Sequence, residues 1–350
     1  MSLTEQHEIT SKQRLLDKDG NIAEPGFAKK LFWEYDRRDI KAGKMRIKEW
    51  DYYYIGTQEY GLCLTISDSG YVSCLSVTIL GFGDKPFQMN DSEIGPLPLG
   101  KLKLPTSSVK GNIHAAVGTC DMTFNNDGTV RHLFGRYDNF YNSGKTLTFD
   151  VKLTDIPEES MVIATPFDKD KHFYYNQKIN CMSAEGWMKF DEYDFRFSKS
   201  NAALGTLDWG RGVWTYDNTW YWGSGQMLLD DGSTFGYNIG YGFGNTSAAS
   251  ENMLFYNGKS HKLDRVVFNI PEKNGDYDYM SQWTFEDNEG RFSMTFDPII
   301  DRQAPFDLKV VCMVPHQVFG KLNGKAVLDD GKVIEVKDKL VFAERVHNKW

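Results

Sequence analysis

The sequence predicts an all-β protein of antiparallel strands, and three observations carry that prediction. Turn dipeptides punctuate the chain at Asp19-Gly20, Asp127-Gly128, Asp231-Gly232, Asn257-Gly258, Asn323-Gly324 and Asp330-Gly331. Flanked by apolar alternation, Asn-Gly and Asp-Gly are the strongest local hairpin signals. Aromatic residues make up 14% of the chain, with 9 Trp, 18 Tyr and 23 Phe, and such residues favour strands and binding pockets. Helical periodicity is scarce: one stretch, 25–35, reads as a short helix.

In the first half, strands are expected over 50–55, 61–67, 71–80, 118–124, 130–134, 147–153 and 160–165. The segment MTFNNDGTVRHLF joins two of these as a hairpin about Asp127-Gly128. In the second half they are expected over 186–190, 194–197, 219–228, 234–243, 253–256, 262–270, 280–286, 291–296, 309–314 and 334–342. There MLFYNGKSHKLDRVVFNI and AVLDDGKVIEV carry the turns. Many short strands with tight turns indicate sandwiches or barrels. A chain of 350 residues suggests two domains, placed at 1–180 and 181–350 because KDKHFYYNQKINC reads as a crossing segment.

The period of two sorts two neighbouring strands into faces. Trp220, Trp222, Ser224 and Gln226 share one face, with Thr219, Tyr221, Gly223 and Gly225 opposite. Phe235, Tyr237, Ile239, Tyr241 and Phe243 share another, backed by Gly236, Asn238, Gly240, Gly242 and Gly244. Glycines inside a strand mark sharp coiling or close approach by a ligand or neighbouring backbone. These strands read either as the wall of a cavity, with Tyr237, Asn238 and Tyr241 on a ligand, or as aromatic-to-glycine packing within a closed barrel.

A formal net charge of −8 argues against nucleic acid, which needs a basic surface. Cys63, Cys74, Cys120, Cys181 and Cys312 have no CxxC spacing, which fits reduced thiols and no zinc. His and Cys are too dispersed for a metal-ligand set, and no phosphate loop exists, so no cofactor is expected. The segment MSLTEQHEITSKQRLL lacks an apolar signal core, and no apolar run approaches the roughly 20 residues of a membrane span. A cytoplasmic protein without a transmembrane segment is expected, its partner a small molecule.

The richest segment is GTLDWGRGVWTYDNTWYWGSG, residues 205–225. It sets Trp209, Trp214, Trp220 and Trp222 beside Asp208 and Arg211 among several glycines. Indole faces bind apolar or sugar surfaces, and a carboxyl walled by indole is a better proton donor near neutral pH. Asp208 therefore reads as an acid or as a turn cap. Arg211 reads as its salt-bridge partner or as an anchor for an anionic ligand group. Glu251, after the loop GFGNTSAAS, reads as a second acid or as the start of a strand. The tryptophans read as stacking platforms or as barrel core.

RLLDKDGNIAEPGFAKK followed by RIKEWDYYYI resembles the opening of the domain of unknown function 2804 family. LGTLDWGRGVWTYDNTWYWGSG resembles its central signature, and ENMLFYNGKSHKL with LVFAERVHNKW its closing part. The resemblance implies two lipocalin-like β-barrels and distant kinship with the carotenoid 1,2-hydratase, AttH-like and tocopherol cyclase groups. Those groups bind hydrophobic substrates, and some protonate an alkene. The expectation is thus a protein binding a small hydrophobic or amphipathic ligand, with Asp208 as acid, Arg211 orienting and the tryptophans stabilising developing positive charge. A saccharide-cleaving enzyme pairing Asp208 with Glu251 or Asp217, and a non-catalytic carrier, are the rival readings.

Overall fold

The computed structural model describes residues 6–303, 306–307 and 312–349, and two antiparallel sheets organise them. The first has 13 strands. Its main path runs from Phe87–Pro96 through Val72–Gly81, Tyr60–Asp68, Ile47–Gly56, Leu204–Val213 and Phe173–Phe190 to Leu147–Thr154, Arg131–Tyr137, Cys120–Asn126 and Gly111–Val117. It curls into a nearly closed barrel, and its end strands approach where a Cβ added at Gly95 would meet Val117. The second sheet, of 10 strands, forms a half-barrel. It runs from Lys259–Lys262 through Met253–Tyr256, Thr234–Tyr241, Asp217–Leu228, Val333–Lys349, Cys312–Val327, Phe292–Arg302 and Trp283–Asp287 to Val266–Asn269. The architecture is all-β, two lipocalin-like barrels. Among the described residues no helix is long and apolar enough to cross a membrane.

Each barrel has its own core. Trp33, Tyr53, Tyr175, Leu207 and Trp209 fill the first, and Phe235, Tyr237, Ile239, Trp283 and Phe285 fill the second. The alternate residues of the same strands pack the two sheets together. Tyr54 packs on Phe319 and Phe342 at 5.4 and 5.7 Å, and Tyr52 meets Trp222 edge-on at 6.1 Å. At about 1.5–3 kcal/mol per large side chain withdrawn from water, this seam joins the sheets firmly. The strand Leu204–Val213 is buried at every position, because one face fills the first barrel and the other meets the second sheet.

The chain leaves the first sheet after Val213 and enters the second at Asp217, whereas the sequence placed the crossing near 180. Position 180 instead interrupts the strand pairing of Phe173–Phe190 with a bulge between Ile179 and Met182. There Cys181 adopts φ +65°, and the Asn180 amide donates to Ser224 Oγ at 2.8 Å and Gly225 O at 3.1 Å. The bulge seats one sheet on the other. A Cβ on Gly236 would strike Cys181 Sγ at 2.7 Å, so this strand glycine serves close approach between the sheets.

The short helix expected over 25–35 does not form. Gly26–Ala28 and Trp33–Glu34 are strands, and the former pairs with Met161–Pro166 through Val162↔Ala28. Tertiary pairing overrides a weak local signal there. Of the strand expected over 309–314, residues 309–311 lie outside the described residues, and 312–314 open Cys312–Val327.

Candidate functional site

The strand period splits the central motif between two environments. Leu207, Trp209, Arg211 and Val213 point into the first barrel, while Asp208 faces the second sheet. Beside it, Phe173–Phe190 pairs Lys178 with Asp208 and Asn176 with Gly210. Lys178 Nζ lies 2.7 Å from Asp208 Oδ2, and the Asn176 amide donates to Oδ1 at 2.7 Å. Ammonium on one oxygen and amide on the other are the contacts of a carboxylate. Lys178 Nζ also sits 3.8 Å over the Trp222 ring. The partner of Asp208 is therefore Lys178 and not Arg211.

Trp222 and Trp220 carry this centre to two further carboxyls. Trp222 Nε1 donates to Asn238 Oδ1 at 2.7 Å, and the Asn238 amide donates to Glu251 Oε2 at 3.3 Å and Glu251 O at 2.8 Å. Trp220 Nε1 donates to Glu344 Oε1 at 2.9 Å, and Gln317 Nε2 to Oε2 at 2.9 Å. Arg302 anchors Gln317 at 2.8 Å and reaches Thr78 and Asn90 of the first sheet at 3.1 and 3.2 Å. Asp208, Glu251 and Glu344 each keep 7–8% of their surface accessible.

Burial governs the charge state of this cluster. It pushes the Glu344 carboxyl up to about 7; nearby Asp208 adds to the rise, while the Trp220 hydrogen bond and Lys178 oppose it. Burial likewise raises the Glu251 carboxyl, against Lys178 and the Asn238 bond. The Tyr174 phenol is raised well above its usual value, first by burial and then by the charges of Glu251, Asp208 and Glu344. One phenol thus feels all three carboxyls. Its ring lies parallel to Trp50 at 6.3 Å and edge-on to Phe243 at 4.8 Å.

The remaining expected residues fall elsewhere. Arg211 is fully buried inside the first barrel, bound to Trp50 O at 2.7 Å, Asp51 Oδ1 at 2.9 Å and Pro105 O at 2.9 Å, with its guanidinium 4.1 Å from the Trp209 ring. Trp209 is core. Tyr237 lies in the second core, and Tyr241 stacks on Tyr221 at 4.6 Å and accepts from Phe268 N. Trp214 joins Trp220 and Phe243 in an aromatic cage at 5.9 and 4.7 Å. Asp217 is half-exposed and pairs with Lys349 at 3.2 Å.

Sequence reading missed Lys178, Asn176, Tyr174, Gln317 and Glu344. Glu344 had a signal: it shares the face of Leu340 and Phe342, so a carboxyl interrupts an apolar alternation. Among the described residues, no group of three or more His, Cys, Asp or Glu side chains is arranged to hold a metal ion.

Fold and cluster together define a two-barrel, lipocalin-like protein with a buried carboxyl–lysine centre between its sheets. The chain belongs to the Domain of unknown function (DUF2804) family, whose model matches residues 6–350. No curated protein matches it. Among solved structures it is similar to an AttH candidate from Nitrosomonas europaea, at 11% identity over 89% of this chain and 96% of that one, TM-score 0.49. It is also similar to kievitone hydratase from Nectria haematococca (11% identity, 97% of this chain and 98% of that one, TM-score 0.46). A third is CghA (8% identity, 98% of this chain and 97% of that one, TM-score 0.42).

Proposed function

We propose that the protein binds a small hydrophobic or amphipathic ligand between its sheets and acts on it by side-chain acid chemistry, with Glu344 as proton donor. The observation that carries this reading is a buried carboxyl poised at about 7 beside a fixed ion pair and aromatic walls. A donor titrating near the working pH holds its proton yet releases it readily. In this reading Glu344 protonates an alkene or enol carbon, and the π-faces of Trp220, Trp214 and Trp50 stabilise the positive charge that develops. Trp222 is less suited to that task, since Lys178 occupies its face. Water then adds, or a proton departs to Asp208, which gives hydration, cyclisation or isomerisation.

Asp208 is thus reassigned from acid to carboxylate, with Lys178 and Asn176 orienting it. Arg211 positions the strand from the far side. The first step of the test is native mass spectrometry of freshly purified protein with extraction of any bound molecule. On that ligand Glu344→Gln is expected to lower turnover by about 10²–10⁴ while affinity stays within about tenfold. A fully active Glu344→Gln protein contradicts the reading, and a ligand returned unchanged by the parent protein makes it a carrier.

A further inference from the structure

A cavity of about 640 Å³ opens beside the 242–250 loop. That volume suits a small organic ligand. Its wall includes Phe167 and Asp168 from the first half of the chain, and Thr219 with the 242–250 loop from the second. Phe243 links this wall to the aromatic cage through Phe167, whose ring it meets edge-on at 5.2 Å. Its neighbours Gly242 and Gly244 line the cavity, while its ring packs against Tyr174, Trp214 and Trp220 at 4.8, 4.7 and 5.3 Å. Trp220 in turn holds Glu344. Gly242 makes this possible: φ +91° breaks the strand alternation and turns Phe243 away from Tyr241 toward the first sheet.

The wall is polar with an acidic bias. Of its acids Asp168, Asp217 and Asp264, Asp217 is paired with Lys349 at 3.2 Å and Asp264 with Arg265, the single basic lining residue among those described, so the bias rests on Asp168. Arg265 lies 3.8 Å from Asp264, so its charge is already opposed. The exposed hydroxyls of Thr246 and Ser247 complete a surface of neutral donors and acceptors. An anionic group entering here meets repulsion, whereas hydroxyl groups find hydrogen-bond partners.

We propose that this cavity seats the neutral, polyhydroxylated end of an amphipathic ligand, a glycosyl or polyol head, with its apolar part against Phe167, which packs edge-on to Phe243 at 5.2 Å. The inference rests on the reading that the ligand reaches the cluster between the sheets. It unites the apolar and saccharide expectations in one molecule, with each end given its own surface.

The probes are an octyl glucoside and octyl phosphate, both kept below their micelle-forming concentrations and followed by calorimetry and tryptophan emission. The glucoside is expected to bind the full-length protein at least tenfold more tightly than the phosphate and to shift the emission. Thr246→Phe, at an exposed loop position, fills the cavity and should weaken glucoside binding at least tenfold with an unchanged melting temperature. Asp168→Lys should bring the two probes within about threefold of each other. Equal affinities in the parent protein, absence of glucoside binding, or insensitivity to Thr246→Phe would overturn the proposal. Glu344 can titrate as described whether or not a glucoside binds, so this failure and that of the acid reading are separable.

Discussion

Asp208 and Arg211 lie three residues apart on one strand and serve opposite purposes. Arg211, inside the first barrel, gives its guanidinium to Asp51 and to the backbone carbonyls of Trp50, Gly210 and Pro105. It ties its own strand and the neighbouring Ile47–Gly56 to the segment that carries Pro105. Asp208, on the outer face, meets Lys178 in a cluster that retains accessible surface and holds a carboxyl poised near neutrality. A buried charge bound to fixed backbone is a lock; a buried ion pair with some access to water beside a raised carboxyl is a candidate reactive centre. Strand parity alone decides which is which.

The comparison breaks most visibly at the lock. Arg211→Met leaves Asp51 and three carbonyls without their donor, and urea unfolding should show a loss of about 3–5 kcal/mol. A loss below about 1 kcal/mol would deny the lock. Lys178→Met should cost somewhat less, about 3 kcal/mol, since Asp208 keeps some access to water. Adding Asp208→Asn should restore most of that loss, and a double-mutant cycle measures the coupling. Additive losses would mean the pair is not the electrostatic unit described.

Glu344 gives the comparison a pH axis. Its carboxyl rises from 4.5 to about 7 on folding, so the native state holds a proton that the unfolded state has released between those values. Stability from this group is fully present below about 4.5 and is lost as pH rises through about 7. At 1.36 kcal/mol per unit the total is about 3 kcal/mol. Glu344→Gln carries no such charge, so its stability relative to the parent should improve by about that amount between pH 4 and pH 8. A gap that does not change with pH contradicts the raised carboxyl. The smallest effect belongs to the second barrel. The Tyr237 hydroxyl is buried without a hydrogen-bond partner among the described residues, so Tyr237→Phe should be neutral or stabilising by up to about 1 kcal/mol in thermal melts.

Local turn chemistry was legible in the sequence, while burial on two faces was not. Asn257 and Gly258 take φ +47° and +78° and join Met253–Tyr256 to Lys259–Lys262 as expected, because a two-residue loop with both φ positive demands such residues. The faces of Asp217–Leu228 also follow the period of two: Trp222, Ser224 and Gln226 meet the first sheet while Met227 fills the second core. Leu204–Val213 escaped notice as a strand, since its two buried faces and three glycines leave no polar alternation to read. In Phe173–Phe190 only 186–190 was expected as strand, and 173–185 escaped for a related reason. Gln177 is buried in the first barrel, while Asn176, Lys178 and Asn180 are buried toward the second sheet, so polar residues on both faces erase the binary pattern. The site was sought in one continuous motif, but a strand sends neighbours to opposite sides. Half of the motif became core, and the missing carboxyl came from the closing strand.

The central claim is that a carboxyl between the sheets keeps its proton to near pH 7. Titration of the protein labelled with carbon-13 at its glutamate carboxyls, followed by nuclear magnetic resonance beside Glu344→Gln, tests it most directly. One resonance with a midpoint near 7, absent from the Glu344→Gln spectrum, is the result this account predicts. If the resonance lost in Glu344→Gln titrates below about 5, with the ordinary glutamates, the cluster is a set of structural ion pairs and the acid role of Glu344 is wrong.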